Sequence, residues 1–530
     1  MLSSKYLSPL AERGLLKAGS LLAPGDEVLP SFECSQALHH ADRMMDFMHP
    51  SDRAGFVGLM TTMGLMPRFA VRGLLKALDT PERWPGPLRP AARMASLGVK
   101  GAVYTMYYSD TTADGSVRKG LGWNTKCGDD MVHAEGDGAA AVFARARRAA
   151  RSLRATRPTE RVAFYAALRK AILRRQNEIL DAIQRETGKC RSDALMSEIF
   201  PVLDSLDYLE RQAPRILADR KVHTPLFLMG KSSKVLFEPL GVVLVICPWN
   251  YPFYQAMVPA LSALSCGNAV VYKPSELTPL KGLIESLLAE AGMPAGWMQV
   301  VYGDGRVAES LIDQRPDKIF FIGSAGTGRK ILARAAEHLI PVELELGGKD
   351  PMIVFEDANL DRAAAGAAWG ALTNTGQSCT SVERVYVQES VYEAFRERLL
   401  REAGRITQKV DSDGNADIGV MTSDAQVRIV AQHVDEAVAA GAKLLTGTSW
   451  DRRDKNIPPL VMERVDHDMA VCRDETFGPV IPLIPFAKEG DAVRLANDSQ
   501  YGLSASVWSA DLKRCDRVAR ALVTGNVSVN

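Results

Sequence analysis

The chain has 530 residues, of which 46% are hydrophobic and 24% are charged. Its 64 Lys and Arg residues nearly balance its 63 Asp and Glu residues, so no global field favours a nucleic acid or an anionic membrane surface. The eight cysteines form no C-x-x-C pair and no Cys/His spacing suited to zinc, so we expect no metal and a reducing, cytoplasmic location. Near the N-terminus the longest uncharged apolar stretch, residues 54–67, is shorter than the roughly 20 residues of a spanning helix, so we expect no transmembrane segment.

Residues 1–135 form a separate region, predicted to be a helical extension followed by a linker. Apolar residues recur at helical spacing from Phe56 to Met66 and again from Phe69 to Leu78. The stretch from Thr111 to Asp137 is rich in Gly, Asp, Thr and Ser, a composition typical of a linker.

The rest of the chain reads as helices followed by alternating strands and helices. The pattern predicts helices over residues 142–153, 158–186 and 191–217, and then a strand over 234–245. Strands and helices alternate from residue 269 to 338, which is typical of a doubly wound parallel sheet, and a second α/β unit follows from Asp350. The predicted fold class is therefore α/β.

Two segments at predicted strand ends are suited to a dinucleotide. The short strand 318–322 is followed by Gly323, Ser324 and Gly328 and then by a helix, and such a turn brings backbone N–H groups to a pyrophosphate. This turn is not G-x-G-x-x-G, and the same arrangement occurs without a ligand. Lys273 and Glu276 are suited to ribose hydroxyls, although they could equally form a surface ion pair.

Three polar segments interrupt apolar sequence: one carries Asn250 between prolines, one carries Glu345 before a Gly pair, and one carries Cys379 in a small polar loop. Oxidation of a carbonyl by hydride transfer needs a thiolate that adds to the aldehyde, donors for the oxyanion, and a base that activates water. The three residues supply one group of each kind. Taken singly, the same residues are also typical of a buried thiol, a turn and a strand-end charge.

Together these segments resemble the aldehyde dehydrogenase superfamily over roughly residues 138–530. The motifs that carry the resemblance occur in the family's order: Pro248–Phe253, Lys273–Glu276, Phe321–Gly328, Glu345–Lys349, Gly376–Cys379 and Glu475–Pro479. The resemblance implies a Rossmann-like NAD(P)-binding domain at 136–345 with a β-hairpin at about 221–237, and a catalytic domain at 346–530.

The resemblance also implies roles for individual residues. Cys379 corresponds to the nucleophile, Glu345 to the general base, and Asn250 to the oxyanion donor. The expected cofactor contacts are Trp249, Lys273, Ser275, Glu276, Gly323, Ser324, Gly328, Glu475 and Phe477. Glu276 would repel a 2′-phosphate, so NAD is the expected cofactor, with NADP as the alternative because some relatives use it.

The segments before residue 245 are most similar to the class 3, fatty-aldehyde branch, which implies an apolar medium- or long-chain or aromatic aldehyde. The resemblance also implies a homodimer. The sequence stops at Asn530, where the family continues with a tail that pairs across subunits, and this argues against the usual dimer contact. The alternatives to hydrolytic oxidation are a CoA-acylating aldehyde dehydrogenase and a truncated, non-catalytic binding or scaffold chain.

Overall fold

The computed structural model describes residues 7–22, 50–78, 95, 99, 138–408 and 416–530. The predicted linker at 111–137 lies outside these residues. The chain divides into two compact units, Met1–Gly128 with Leu173–Arg175, and Asp129–Ile172 with Gln176–Asn530. The predicted boundary at 345/346 falls inside the second unit and stays a prediction. Among the described residues, no helix has the length and hydropathy needed to cross a bilayer.

The N-terminal unit contains the helices α1 (Pro9–Leu22), α2 (Pro50–Leu65) and α3 (Arg68–Leu78), and α2 and α3 match the two predicted apolar stretches. Helices α1 and α2 approach very closely. A Cβ atom at Gly64 would lie 2.0 Å from the Leu10 carbonyl oxygen, so no larger residue fits without moving a helix. The Lys17 ammonium donates to the carbonyls of Gly64 (2.8 Å) and Met66 (2.6 Å), which satisfies the C-terminal end of α2.

Because of this contact, alanine should stabilise the helix pair at one glycine of α2 and destabilise it at another. Gly58→Ala should stabilise the helix pair by about 0.5–1 kcal/mol, because Gly58 has open space around it and alanine is the better helix former. Gly64→Ala should destabilise the pair, because the methyl group meets the Leu10 carbonyl. Hydrogen exchange of residues 9–22 and 50–65 measures both effects, and slower exchange in both variants would contradict the prediction.

Residues 139–216 form a run of helices. These are α4 (Ala139–Arg154), α5 (Pro158–Arg161), α6 (Tyr165–Arg174), α7 (Gln176–Thr187), α8 (Arg191–Ala194) and α9 (Phe200–Ile216). The prediction of one helix over 158–186 is wrong, because the chain turns between α5 and α6. Val162, Phe164 and Tyr165 are all buried, and residues so close in sequence cannot share one narrow face of a straight helix. The predicted helix over 191–217 is interrupted by a π-turn at Leu195–Ile199.

The predicted hairpin is present, formed by the antiparallel strands β1 (Arg220–Val222) and β2 (Ser233–Val235). The prediction of one strand over 234–245 is wrong, because β2 ends at Val235 and the next strand begins at Val242. Pro239 has no backbone N–H to donate to a neighbouring strand. Gly241 has φ of +137°, and a Cβ atom there would lie 2.2 Å from the Asp317 carboxylate.

The first large sheet has five parallel strands in the order β5-β4-β3-β6-β7. They are β3 (Val242–Ile246), β4 (Ala269–Lys273), β5 (Met298–Val300), β6 (Lys318–Gly323) and β7 (Val342–Leu346). The connecting helices are α10 (Pro252–Ser265), α11 (Leu283–Glu290), α12 (Gly305–Ile312) and α13 (Ala325–Ala336). The strand order reverses direction beside β3, and ligands bind at such a switch point outside the carboxyl ends of the strands.

The second large sheet has seven strands in the order β10-β11-β12-β9-β8-β13-β14, and only the β10–β11 pair is antiparallel. The strands are β8 (Asp350–Val354), β9 (Val382–Gln388), β10 (Lys443–Leu444), β11 (Leu460–Glu463), β12 (Val480–Phe486), β13 (Ser504–Trp508) and β14 (Asn526–Val529). The helices are α14 (Leu360–Leu372), α15 (Tyr392–Arg405), α16 (Asp424–Ala439), α17 (Ala470–Arg473), α18 (Glu489–Asn497) and α19 (Leu512–Ala521). The predicted α/β fold class is confirmed.

Candidate active site

Cys379 lies in the loop between α14 and β9, just after a turn whose backbone is unusual. Asn374, Thr375 and Gly376 have φ values of +53°, +58° and +72°. A β-branched residue rarely adopts positive φ, so the surrounding structure must hold this turn. The Thr375 hydroxyl donates to the Gly419 carbonyl at 3.1 Å. A Cβ atom at residue 376 would lie 2.2 Å from the carbonyl oxygen of residue 478, so glycine is required there.

Asn250 follows the carboxyl end of β3 and is tied to the loop that carries Cys379. Its side-chain amide donates to the Gln377 carbonyl at 3.1 Å. The Asn374 amide donates to the Gln377 carbonyl at 3.1 Å and to the Asn250 carbonyl at 3.0 Å. The structure therefore brings together the predicted oxyanion donor and the predicted nucleophile, through two residues that the sequence had not singled out.

Negative charge and burial both act on the Cys379 thiol. Burial, followed by the carboxyls of Asp350 and Glu475, raises the pKa of Cys379 to about 11, against the smaller opposing effect of the N–H groups of Cys379 and Thr380. Burial also raises the pKa of Asp350 to about 8 and that of Glu475 to about 7. The thiol thus sits beside two carboxyls that themselves hold protons more tightly than usual.

Glu345 occupies a different position from these carboxyls. It is exposed, near the end of β7, opposite Ile322 on β6. Two residues later the backbone reaches the thiol loop: a Cβ atom at Gly347 would lie 2.2 Å from the Glu475 carboxylate, and one at Gly348 would lie 2.6 Å from the Cys379 carbonyl oxygen. The glycine pair therefore lets the end of β7 approach both Glu475 and Cys379.

The segment that contains Glu475 and Phe477 is held by a second set of bonds that the sequence had not revealed. The Glu383 carboxylate accepts from the backbone N–H groups of Thr476 and Phe477, both at 2.8 Å, and pairs with the buried Lys349 ammonium at 2.6 Å. The Phe477 ring meets the Trp249 ring edge-on with centroids 5.5 Å apart. Trp249 and Phe477, which are both predicted to contact the cofactor, therefore contact each other.

The remaining predicted cofactor contacts lie at the carboxyl ends of β4 and β6. Lys273 is buried, and its ammonium donates to the Pro274 carbonyl at 2.6 Å and lies 3.9 Å from the Glu276 carboxylate. Burial lowers the pKa of Lys273. The Ser275 hydroxyl accepts from the Leu277 N–H at 3.2 Å, so it stabilises this turn. A cation and a carboxylate side by side suit a pair of ribose hydroxyls.

The turn after β6 suits a pyrophosphate. Ser324 caps α13 by accepting from the Thr327 N–H at 3.3 Å, and the first turn of the helix contributes positive potential. A Cβ atom at Gly323 would lie 2.5 Å from the Phe321 ring, and one at Gly328 would lie 2.9 Å from the Leu346 side chain. Both glycines are therefore needed for the turn to pack against β6 and β7. The residues present fit a dinucleotide.

Comparison with known proteins agrees with this geometry. Residues 124–530 match the model of the family described as "Aldehyde dehydrogenase family". A Methylomonas protein named 4,4'-diapolycopene aldehyde oxidase is 46% identical over 73% of this chain and 72% of its own length. A Mycolicibacterium smegmatis protein named putative succinate-semialdehyde dehydrogenase [NADP(+)] is 37% identical over 74% and 76%.

The chain belongs to the aldehyde dehydrogenase family. It is an oxidoreductase that acts on aldehydes. Among solved structures, betaine aldehyde dehydrogenase from Staphylococcus aureus in complex with NAD+ has a TM-score of 0.68 and 29% identity, covering 74% of this chain and 79% of that one. The predicted resemblance to the superfamily is confirmed, whereas the likeness to the class 3 branch stays a prediction. NAD+ in that relative and NADP(+) in the mycobacterial name agree with the predicted cofactors.

The thiol of this aldehyde dehydrogenase should alkylate slowly at neutral pH when no cofactor is added. With a pKa of about 11, only about one thiol in a thousand is ionised at pH 8, and the rate should rise about tenfold per pH unit up to pH 10. Mass spectrometry of the Cys379 peptide after brief iodoacetamide treatment measures this rate. A plateau below pH 9 would contradict the prediction.

The two carboxyls should account for part of this shift. At pH 9.5, where both are ionised, Asp350→Asn or Glu475→Gln should raise the alkylation rate by about threefold or more, because each removes a negative charge that opposes the thiolate. Asp516→Asn, which removes an exposed carboxylate paired with Arg520, is the matched control and should leave the rate unchanged.

Proposed function

We propose that this chain oxidises an aldehyde to the carboxylic acid with NAD(P), through a thiohemiacetal and then a thioester on Cys379. The observation that carries the proposal is the hydrogen bond from the Asn250 amide to the Gln377 carbonyl, which holds a side-chain donor against the loop of the thiol. A nucleophile and a donor for the developing oxyanion are the two groups that acyl chemistry at a carbonyl requires.

The proposed reaction has two stages, formation of a thioester on Cys379 and then its hydrolysis. As the thiolate, Cys379 adds to the carbonyl carbon, and its negative charge passes to the substrate oxygen, where the Asn250 amide and the Cys379 N–H stabilise it. NAD(P)⁺, which Lys273, Glu276 and the turn at Gly323 and Ser324 would hold, would supply the acceptor for the hydride that this adduct loses on becoming a thioester. Glu345 then takes a proton from the water that attacks the thioester carbon, and the C–S bond breaks to release the carboxylic acid and return the thiolate.

The proposed cofactor is NAD, with NADP as the alternative. Lys273 and Glu276 would hold the adenosine ribose, and the turn at Gly323 and Ser324 would hold the pyrophosphate. The Glu276 carboxylate disfavours a 2′-phosphate, which supports NAD, whereas the NADP(+) in the name of the mycobacterial relative supports the alternative. A cytoplasmic location is also proposed, supported by the free thiols of the described cysteines.

The proposed substrate is an apolar medium- or long-chain or aromatic aldehyde. Two aromatic rings near the thiol support it. Burial raises the pKa values of Tyr251 and Tyr254, and the charge of Cys379 raises both further, so both rings lie close to the sulfur. Above about pH 8 the carboxyls of Asp350 and Glu475 are mostly ionised, and there they disfavour an anionic aldehyde such as succinate semialdehyde. The relative with 46% identity is named for a 4,4'-diapolycopene aldehyde instead.

Three variants test the assignment of roles. Cys379→Ser should abolish NADH formation from an aldehyde panel, and Asn250→Ala should lower kcat about 100-fold or more, as loss of an oxyanion donor does elsewhere. Glu345→Gln should keep a rapid burst of NADH and lose steady-state turnover, because the thioester then accumulates. Full activity of Cys379→Ser would overturn the proposal, and a loss of the burst in Glu345→Gln would remove that residue's role.

Product analysis separates the alternative functions. Free acid without CoA supports hydrolysis, and acyl-CoA as the main product when CoA is added would favour the acylating enzyme. No turnover of any aldehyde in the wild type would favour a non-catalytic scaffold. Alkanals of increasing length, aromatic aldehydes and succinate semialdehyde, each assayed with NAD and with NADP, make up the panel.

We also propose that the chain forms a dimer through the hairpin. Leu226, Phe227 and Met229 between β1 and β2 are 88%, 84% and 88% exposed, and contiguous apolar side chains of this kind mark association sites. The family resemblance supports a second copy of this chain as the partner. Replacing the three residues with serine should shift the mass in light scattering from dimer to monomer, whereas serine at Leu339, which is 90% exposed elsewhere, should not.

A further inference from the structure

We propose that the buried ion pair of Lys189 and Glu198 is a positioning device that fixes Asn250 for oxyanion stabilisation. The inference deepens the proposed function and rests on it, because it gives Lys189 and Glu198 their role through Asn250. Neither residue is expected to touch the substrate or the cofactor.

The first contact is at the Asn250 backbone. The Lys189 ammonium donates to the Asn250 carbonyl at 2.8 Å and to the Glu198 carboxylate at 2.5 Å, and both charged side chains are fully buried. The Asn374 amide donates to the same Asn250 carbonyl, so both lone pairs of that oxygen are used. The peptide unit after Asn250 cannot rotate without breaking the hydrogen bonds that Lys189 and Asn374 donate to its oxygen, and this restricts the direction of the side chain.

The second contact lies just beyond Asn250. The other oxygen of the Glu198 carboxylate accepts from the Phe253 N–H at 2.7 Å and from the Tyr254 N–H at 3.4 Å, in the first turn of α10. A carboxylate is favoured at a helix N-terminus, so it fixes the start of α10. The Lys189 ammonium also lies 4.2 Å from the centroid of the Tyr251 ring. The pair therefore holds the chain on both sides of the turn that follows Asn250.

The backbone around both charged residues is specialised for this placement. Glu198 lies in the π-turn Leu195–Ile199, and π-turns inside helices are frequent at functional sites. Lys189 follows Gly188, which has φ of +76° and packs against Val420. Because two apolar residues would fill the same volume at lower desolvation cost, a buried pair with these backbone contacts indicates a role beyond packing.

A double-mutant cycle tests the proposal. Lys189→Met should lower kcat/KM for the aldehyde about 100-fold, because small displacements of a catalytic group have effects of that size, and should leave KM for NAD unchanged. In the Asn250→Ala background the same substitution should lower kcat/KM by less than about threefold, because the group that it positions is gone. Lys189→Arg, which keeps the cation, should recover part of the activity.

The matched control is Arg396→Met, which breaks a partly buried ion pair with Glu463 at 2.8 Å, between α15 and β11. Its small effect on kcat/KM should be the same with and without Asn250. Thermal unfolding with NAD present reports folding, and Glu198→Gln, a neutral isostere, takes the place of Lys189→Met in the cycle if the latter does not fold.

Each outcome of the cycle decides one point. If Asn250→Ala lowers the rate and Lys189→Met lowers it by the same factor in both backgrounds, the pair acts on stability or elsewhere, and the positioning role is overturned while the proposed function stands. If Asn250→Ala leaves the rate unchanged, the oxyanion role fails and the positioning role fails with it. Non-additive losses together with an unchanged KM for NAD support the proposal.

Discussion

The shared carbonyl oxygens of Asn250 and Gln377 join the two halves of the candidate active site. Asn250 follows a strand of the five-stranded sheet, and Gln377 precedes a strand of the seven-stranded sheet. Their bonds with the Asn374 amide, at 3.0–3.1 Å, link these two chain segments in a buried environment. Since an unpaired buried amide is costly, these bonds favour one relative placement of the oxyanion donor and the thiol.

A buried ion pair also holds the segment that contains Glu475 and Phe477. Lys349 and Glu383 form a buried ion pair, and the two Glu383 oxygens accept hydrogen bonds from the backbone N–H groups of Thr476 and Phe477. Each buried pair thus uses its carboxylate to hold the backbone of a segment that carries a predicted functional residue. Carboxylates are well suited to this, because one group accepts several bonds and a neighbouring cation keeps it charged.

Sequence reasoning predicted the parts of the molecule that depend on periodicity and local chemistry. The alternating strands and helices gave the α/β class, and Cys379 was distinguished by its small polar loop. Apolar residues continue across the break between α5 and α6, so the sequence does not predict this break, and only the packing shows that Phe164 and Tyr165 are both buried. Pro239 and Gly241 disfavour a continuous strand, so these two residues of the sequence argue against the predicted strand over 234–245.

The two ion pairs could not be predicted from the sequence, because neither follows a regular helix or strand spacing. Lys189 and Glu198 are nine residues apart, and Glu198 lies in a π-turn, which has no period of its own. Lys349 lies directly before β8 and meets Glu383 on the neighbouring strand β9. The effect of the carboxyls near Cys379 could not be predicted from the sequence for a related reason. Their effect on the thiol comes from proximity created by Gly347 and Gly348, whose absent side chains admit Glu475 and the Cys379 carbonyl. The chemistry of the thiol is therefore set as much by where glycine permits backbone to approach as by the charged residues themselves.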